Sequence, residues 1–153
     1  MTQQRNLVFV YGTLKQGQCR GHVMRQSNFI GHAKTITGQQ AILNLGNFPT
    51  IVHSKDIPEA PESTVIGEIW EIDEKTLQAL DRIEGYPFLY TREPISFELV
   101  EQVGTPSSPE TEKALADKQA ISYFYKRLPE EWGKRLSMEN FIEDGNWDDS
   151  LAG

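Results

Sequence analysis

Two short stretches of this chain carry residue types that could do chemistry together: Tyr11-Gly12-Thr13-Leu14, and a glutamate at position 84. The apolar run from Leu7 to Tyr11 reads as a buried strand that stops at Gly12, and the last amides of such a strand lose their ladder partners. Glycine leaves the backbone open to close approach and permits conformations that aim successive N–H groups at one point. Converging amides bind anions, and a carboxylate is the natural guest. The same residues also read as a plain turn at a strand end. No Gly-x-Gly-x-x-Gly or phosphate-loop spacing is present, and Lys15 lacks the Gly-Lys-Ser/Thr setting, so nucleotide binding finds no support.

At the second stretch, Leu77, Leu80 and Ile83 recur at helical spacing and make a buried stripe. Glu84 follows Leu77 by seven residues and Leu80 by four, so it projects from the flank of that stripe at the C-terminal end of the helix dipole. Burial and dipole both disfavour the charged carboxylate and raise its pKa, as a general base working near neutral pH requires. The alternative is a structural glutamate paired with Arg82, Arg92 or a nearby backbone amide at a partly exposed helix end.

The elements that must position these groups are short. After the first strand, residues 12–25 read as a glycine-rich loop entering a short helix. Strands are expected over 35–43 and 48–53, around the turn Asn44-Leu-Gly-Asn47, with a proline-bearing surface loop at 54–63. Thr64 to Ile72 is a Val/Ile/Trp-rich strand. Asp73 then caps a helix reaching about Ile83, and Gly85 stops it. Residues 94–100 alternate, with Ile95, Phe97 and Leu99 on one face. Residues 101–118 read as the longest irregular stretch, Ala120 to Arg127 as the last strand, and Ser137 to Glu143 as a short helix. The pattern predicts an α+β domain with a mainly antiparallel sheet, because the regular strand–helix alternation of a doubly wound sheet is missing.

Val8-Phe-Val-Tyr-Gly-Thr-Leu-Lys-Gln-Gly17 resembles the opening signature of the γ-glutamylcyclotransferase-like superfamily, which includes γ-glutamylamine cyclotransferase and the bacterial and plant AIG2-like proteins. Val65 to Ile72 is similar to its central strand, Leu80-Asp-Arg-Ile-Glu-Gly-Tyr-Pro87 with Tyr90-Thr-Arg92 to its second signature, and Ala120 to Tyr125 to the strand that follows. The resemblance implies a small, mainly antiparallel β-barrel with flanking helices and a cavity at its mouth. By matching position it implies that Glu84 is the acid/base residue and that Tyr11, Gly12, Thr13 and Leu14 hold the substrate carboxylate. The substrate would be a small γ-glutamyl amine or amino acid, closed to 5-oxoproline by its own α-amine; a non-catalytic binder of small carboxylates or peptide termini is the competing expectation. Tyr90, Arg92 and, more weakly, Tyr125 are candidates for the cavity wall, although Arg92 could instead pair with Glu84 or Glu68. Many relatives carry an Asn-His pair where this chain has Arg20-Gly21-His22. That departure and the 101–118 stretch are expected to bear on which amine leaves.

Other residues argue against further chemistry. Cys19 and His22 have no orienting carboxylate in view. His22, His32 and His53 lack ligand spacing, so neither a metal nor a cofactor is expected. A net charge of −7 argues against a nucleic-acid partner. With one cysteine and no run long enough for a signal or a membrane span, a single cytoplasmic domain over 1–153 is expected, with a C-terminal extension from about 128. The oligomeric state is left open.

Overall fold

The apolar run near the start of the chain lies in β1 (Arg5–Val10), whose residues Leu7 to Val10 are buried because both faces of the strand are covered there. Leu7 and Phe9 enter one hydrophobic cluster while Val8 and Val10 enter another. The structure, a computed structural model, describes residues 5–152; Met1–Gln4 and Gly153, included in the expected domain, lie outside the described residues.

Six more strands follow: β2 (Asn28–Thr35), β3 (Gln40–Asn44), β4 (Pro49–His53), β5 (Ile66–Asp73), β6 (Tyr90–Gln102) and β7 (Gln119–Tyr125). Three helices accompany them: α1 (Glu74–Glu84), α2 (Pro109–Ala116) and the one-turn α3 (Leu128–Glu131). The strands form one sheet in the order β1-β5-β2-β6-β7-β4-β3, and β1 also pairs with β7. Five strands therefore close into a ring, with β4 and β3 extending from β7. This is an α+β fold, and every pairing is antiparallel except β1–β7 and β4–β7. The cluster containing Phe9, Ile69, Phe97 and Phe124 draws on all five ring strands, whereas the one containing Trp70, Leu77 and Leu80 lies under α1. No helix among the described residues is long and apolar enough to cross a membrane.

Three local expectations change. The strand expected over 35–43 is two strands, β2 ending at Thr35 and β3 starting at Gln40, parted by a turn in which Gly38 has φ 83°. β2 escapes the sequence pattern because register shifts at Phe29/Gly31 and His32/Ala33 break its alternation. Residues 101–118 are not irregular: β6 runs on to Gln102 and α2 follows, with Pro109 in its first turn and the Ser108 hydroxyl accepting from the Thr111 amide. In place of a helix over 137–143 there is a 3₁₀ turn, Met138–Asn140.

One topological detail makes room for a site. β7 runs beside β1 at Ile121, paired with Val8, and beside β4 at Phe124, paired with Ile51. Ser122 Oγ still donates to Phe9 O, while the amide of Tyr125 already donates to Thr50 Oγ1. β7 thus exchanges neighbours within a few residues. A crevice opens where β1 peels away from β7 and β4 takes its place.

Candidate active site

The chain leaving β1 enters that crevice as Tyr11-Gly12-Thr13-Leu14, all buried. The loop is tied by its carbonyls: the Lys15 amide donates to Gly12 O at 3.1 Å and the Arg20 amide to Thr13 O at 2.8 Å. Its own amides are left over. Among the described residues, the N–H groups of Gly12, Thr13 and Leu14 reach no backbone or side-chain acceptor. Lining the cavity, this row of three amides can donate to an anion placed there. Gly12 is required here by space rather than by dihedral angle, since a Cβ at this position would sit 2.8 Å from Pro49 Cγ.

The opposite wall comes from α1. Asp73 caps it by accepting from the Thr76 amide at 2.8 Å. Gly85 ends it in the left-handed conformation, φ 66°, with the Tyr86 amide returning to Asp81 O. Leu77 and Leu80 are buried, and Ile83 and Glu84 line the crevice. Burial pushes the Glu84 carboxyl up to about 7, against a smaller opposing pull from the Arg20 charge.

Together these residues bound a cavity of about 90 Å³, completed by Phe9, Val10, Arg20, Phe48, Pro49, Leu89, Tyr90 and Tyr123. A water needs roughly 10–15 Å³ on such a measure, so the space suits a small organic acid and not a nucleotide. The tyrosines shape it without titrating. Tyr11 donates its hydroxyl to Tyr123 O at 2.7 Å, and Tyr90 to Pro49 O at 3.0 Å. Burial, reinforced by neighbouring negative groups, holds both phenols protonated far above neutrality. Their hydroxyls are committed to backbone carbonyls, which leaves the free amides and the Thr13 hydroxyl as the polar donors of the buried end.

Of the residues singled out in the sequence, Tyr11, Gly12, Thr13, Leu14, Glu84 and Tyr90 share this cavity. Arg92 and Tyr125 do not line it. Arg92 Nε lies 3.3 Å from Asp81 Oδ1, and its guanidinium stacks over the Tyr86 ring at 4.3 Å. It reaches the site only through Asp81, which accepts the Tyr123 hydroxyl at 2.7 Å. Tyr125 turns outward to Glu131 Oε2 at 2.9 Å. The stretch 101–118 contributes nothing to the wall. Within Arg20-Gly21-His22 it is Arg20 alone that lines the cavity. Pro49 and Tyr123 are not singled out in the sequence, because each joins the site by long-range pairing, whereas Leu89 lies in the turn after α1, its amide donating to Gly85 O at 2.8 Å. Cys19 is exposed, and no cluster of metal-ligating side chains occurs among the described residues.

Comparison with known proteins gives the same frame. The gamma-glutamyl cyclotransferase, AIG2-like family matches residues 8–149. Gamma-glutamylaminecyclotransferase C of Danio rerio is 37% identical over 145 residues, covering 91% of this chain and 88% of its own. Human gamma-glutamylaminecyclotransferase is 29% identical over 147 residues, covering 91% of each. The crystal structure of an AIG2-like protein from Mus musculus superposes with a TM-score of 0.59 at 27% identity, over 80% of this chain and 78% of that one.

Proposed function

This chain belongs to the gamma-glutamyl cyclotransferase, AIG2-like family, and from that premise we propose that it releases 5-oxoproline from a small γ-glutamyl compound, with Glu84 as its acid/base residue. The observation that carries the reading is a single cavity holding both a row of free amides, Gly12 to Leu14, and a carboxyl raised to about 7 at Glu84.

The chemistry needs little else. The substrate α-carboxylate takes the free amides and fixes the γ-glutamyl unit at one end. Folding the chain back brings the α-nitrogen against the γ-carbonyl carbon, so a proximity effect replaces an enzyme nucleophile. Glu84 accepts a proton from the α-ammonium; the freed amine attacks the γ-carbon, and the carbonyl oxygen takes the negative charge. As the tetrahedral adduct collapses, the bond from the γ-carbon to the leaving nitrogen breaks; that nitrogen takes back the proton held by Glu84 and also the second proton shed by the ring nitrogen, and departs as an ammonium. A five-membered lactam and a free amine result. A carboxyl near 7 suits both halves of this exchange, since it is part ionised and part protonated at neutral pH.

The test is to incubate the protein with γ-glutamyl dipeptides, γ-glutamyl-lysine and glutathione, and to measure 5-oxoproline. Glu84→Gln is expected to lower kcat by about 10²–10⁴-fold, the usual worth of general acid–base catalysis, with no fall in melting temperature. Full activity in that variant would remove Glu84 from its role. Binding of small carboxylates with no turnover of any member of the panel would replace the enzyme with a carboxylate-binding module.

A further inference from the structure

We propose that Arg20 selects substrates by a carboxylate on the departing amine, so that this chain favours γ-glutamyl amino acids over γ-glutamyl amines that lack one. The inference rests on the cyclotransferase reading above and names the substrate class for that site.

The α-carboxylate and the scissile amide stand at opposite ends of the γ-glutamyl unit, with three carbons between them. The free amides of Gly12, Thr13 and Leu14 meet the first end from the buried side of the cavity. The departing group must therefore leave by the rim. The rim is where the wall becomes exposed, at Leu89, 39% exposed, and at half-buried Arg20, Phe48, Ile83 and Glu84, of which Arg20 alone is a cation. Arg20 brings a permanent positive charge to that exit.

The guanidinium is available. Among the described residues it makes no ion pair within 4.0 Å and no side-chain hydrogen bond, although acidic side chains outnumber basic ones in the sequence. It lines the same cavity as Glu84 and Tyr90, and it forms no ion pair with Glu84 within 4.0 Å. A planar fork of N–H donors on that wall matches a carboxylate in two-point geometry.

Its backbone is also built to stay in place. The Arg20 amide donates to Thr13 O, the Gly21 amide to Gln18 O, and the Cys19 amide to Asp149 Oδ2. Gln18 Oε1 accepts from the Asp149 amide at 2.7 Å. A Cβ at Gly21 would lie 2.5 Å from Lys15 O, so the chain is pressed tightly against the start of this loop. A charged side chain on a fixed backbone loses less freedom when it binds, and discriminates better for it.

The experiment compares γ-glutamylalanine with γ-glutamylethylamide, which differ only by the carboxylate on the departing amine. In the unmodified protein kcat/KM is expected to favour γ-glutamylalanine by about 10- to 100-fold, the worth of one charge-assisted pair. In Arg20→Gln this preference should collapse towards one, mainly through KM, and Arg20→Lys should restore part of it. An unmodified protein that treats the two alike, or an Arg20→Gln variant that keeps the preference or loses both substrates equally, overturns the proposal. If neither compound yields 5-oxoproline, the cyclotransferase reading fails instead. Calorimetric binding of the same pair then decides Arg20 separately: a preference for γ-glutamylalanine that vanishes in Arg20→Gln supports it, and equal affinities in the unmodified protein refute it.

Discussion

At the scale of the residue, Glu84 couples catalysis to stability. Its carboxyl is raised from an ordinary 4.5 to about 7 by burial, so the folded state holds a proton that the unfolded chain gives up. Folding stability therefore falls as pH rises between these values, while the ionised base that catalysis needs accumulates. kcat/KM is expected to drop as pH falls through about 7, and Glu84→Gln should remove that limb along with the activity. The same variant should be more stable than the unmodified protein at pH 8, by about 1–3 kcal/mol after allowance for solvent reaching the cavity, and no more stable at pH 4. Chemical denaturation at both pH values checks the sign. Gly12 poses a different constraint. An added methyl must displace Pro49 or the loop itself, so Gly12→Ala is expected to cost about 1–3 kcal/mol and to lower kcat/KM at least tenfold by shifting the free amides. An equal kcat/KM would show that those amides do not hold substrate.

At the scale of the element, α2 illustrates what a pattern search passes over. It is short, with Ala114 and Leu115 its only partly buried apolar residues, and it stays in place because of a charge beneath it. Glu71, fully buried on β5, accepts from Asn28 Nδ2, from the Ser107 amide and hydroxyl, and from the Thr111 hydroxyl. Burial alone would raise its pKa, but these donors more than offset the desolvation and hold it below the usual carboxylate range. Its contribution is thus present above that range and lost as pH falls through the lowered value. Glu71→Gln puts an NH₂ where an acceptor is needed and should cost about 1–3 kcal/mol, read as a lower denaturant midpoint at unchanged slope. The loss should shrink towards acid pH. Because the network is remote from the cavity, kcat/KM of the folded variant is expected to stay within about twofold.

At the scale of the whole molecule, the chain end ties the site together. Trp147 is 1% exposed and packs in the cluster shared by the ring strands. Beside it, Lys15 Nζ donates to Asn146 Oδ1 and Trp147 O, both at 2.7 Å, and Asp149 holds the segment that carries Arg20. Residues 146–149 thus anchor the loop from Lys15 to Arg20 against the ring. Trp147→Ala should cost about 3–5 kcal/mol, and roughly 10 °C in melting temperature. It should also lower kcat/KM for γ-glutamylalanine more than for γ-glutamylethylamide, at temperatures well below melting, since it loosens the segment that carries Arg20. Equal losses would separate the anchor from specificity.

The sequence by itself determined what depends on neighbours in the chain: a strand buried on both faces that stops at Gly12, a helix capped by Asp73 and stopped by Gly85, and the family signatures around them. Those features follow from side-chain periodicity, capping oxygens and left-handed glycine, which act over a few residues. Only the tertiary structure decided which side chains share a wall. Tyr90 and Arg92 are two residues apart on β6, yet Tyr90 lines the cavity and Arg92 is drawn to Asp81 and Tyr86. Arg20 carries no periodic signal, and Pro49 and Tyr123 enter because β7 exchanges β1 for β4 beside the loop. Such placements depend on pairings between residues 40 to more than 100 positions apart, which local pattern does not encode.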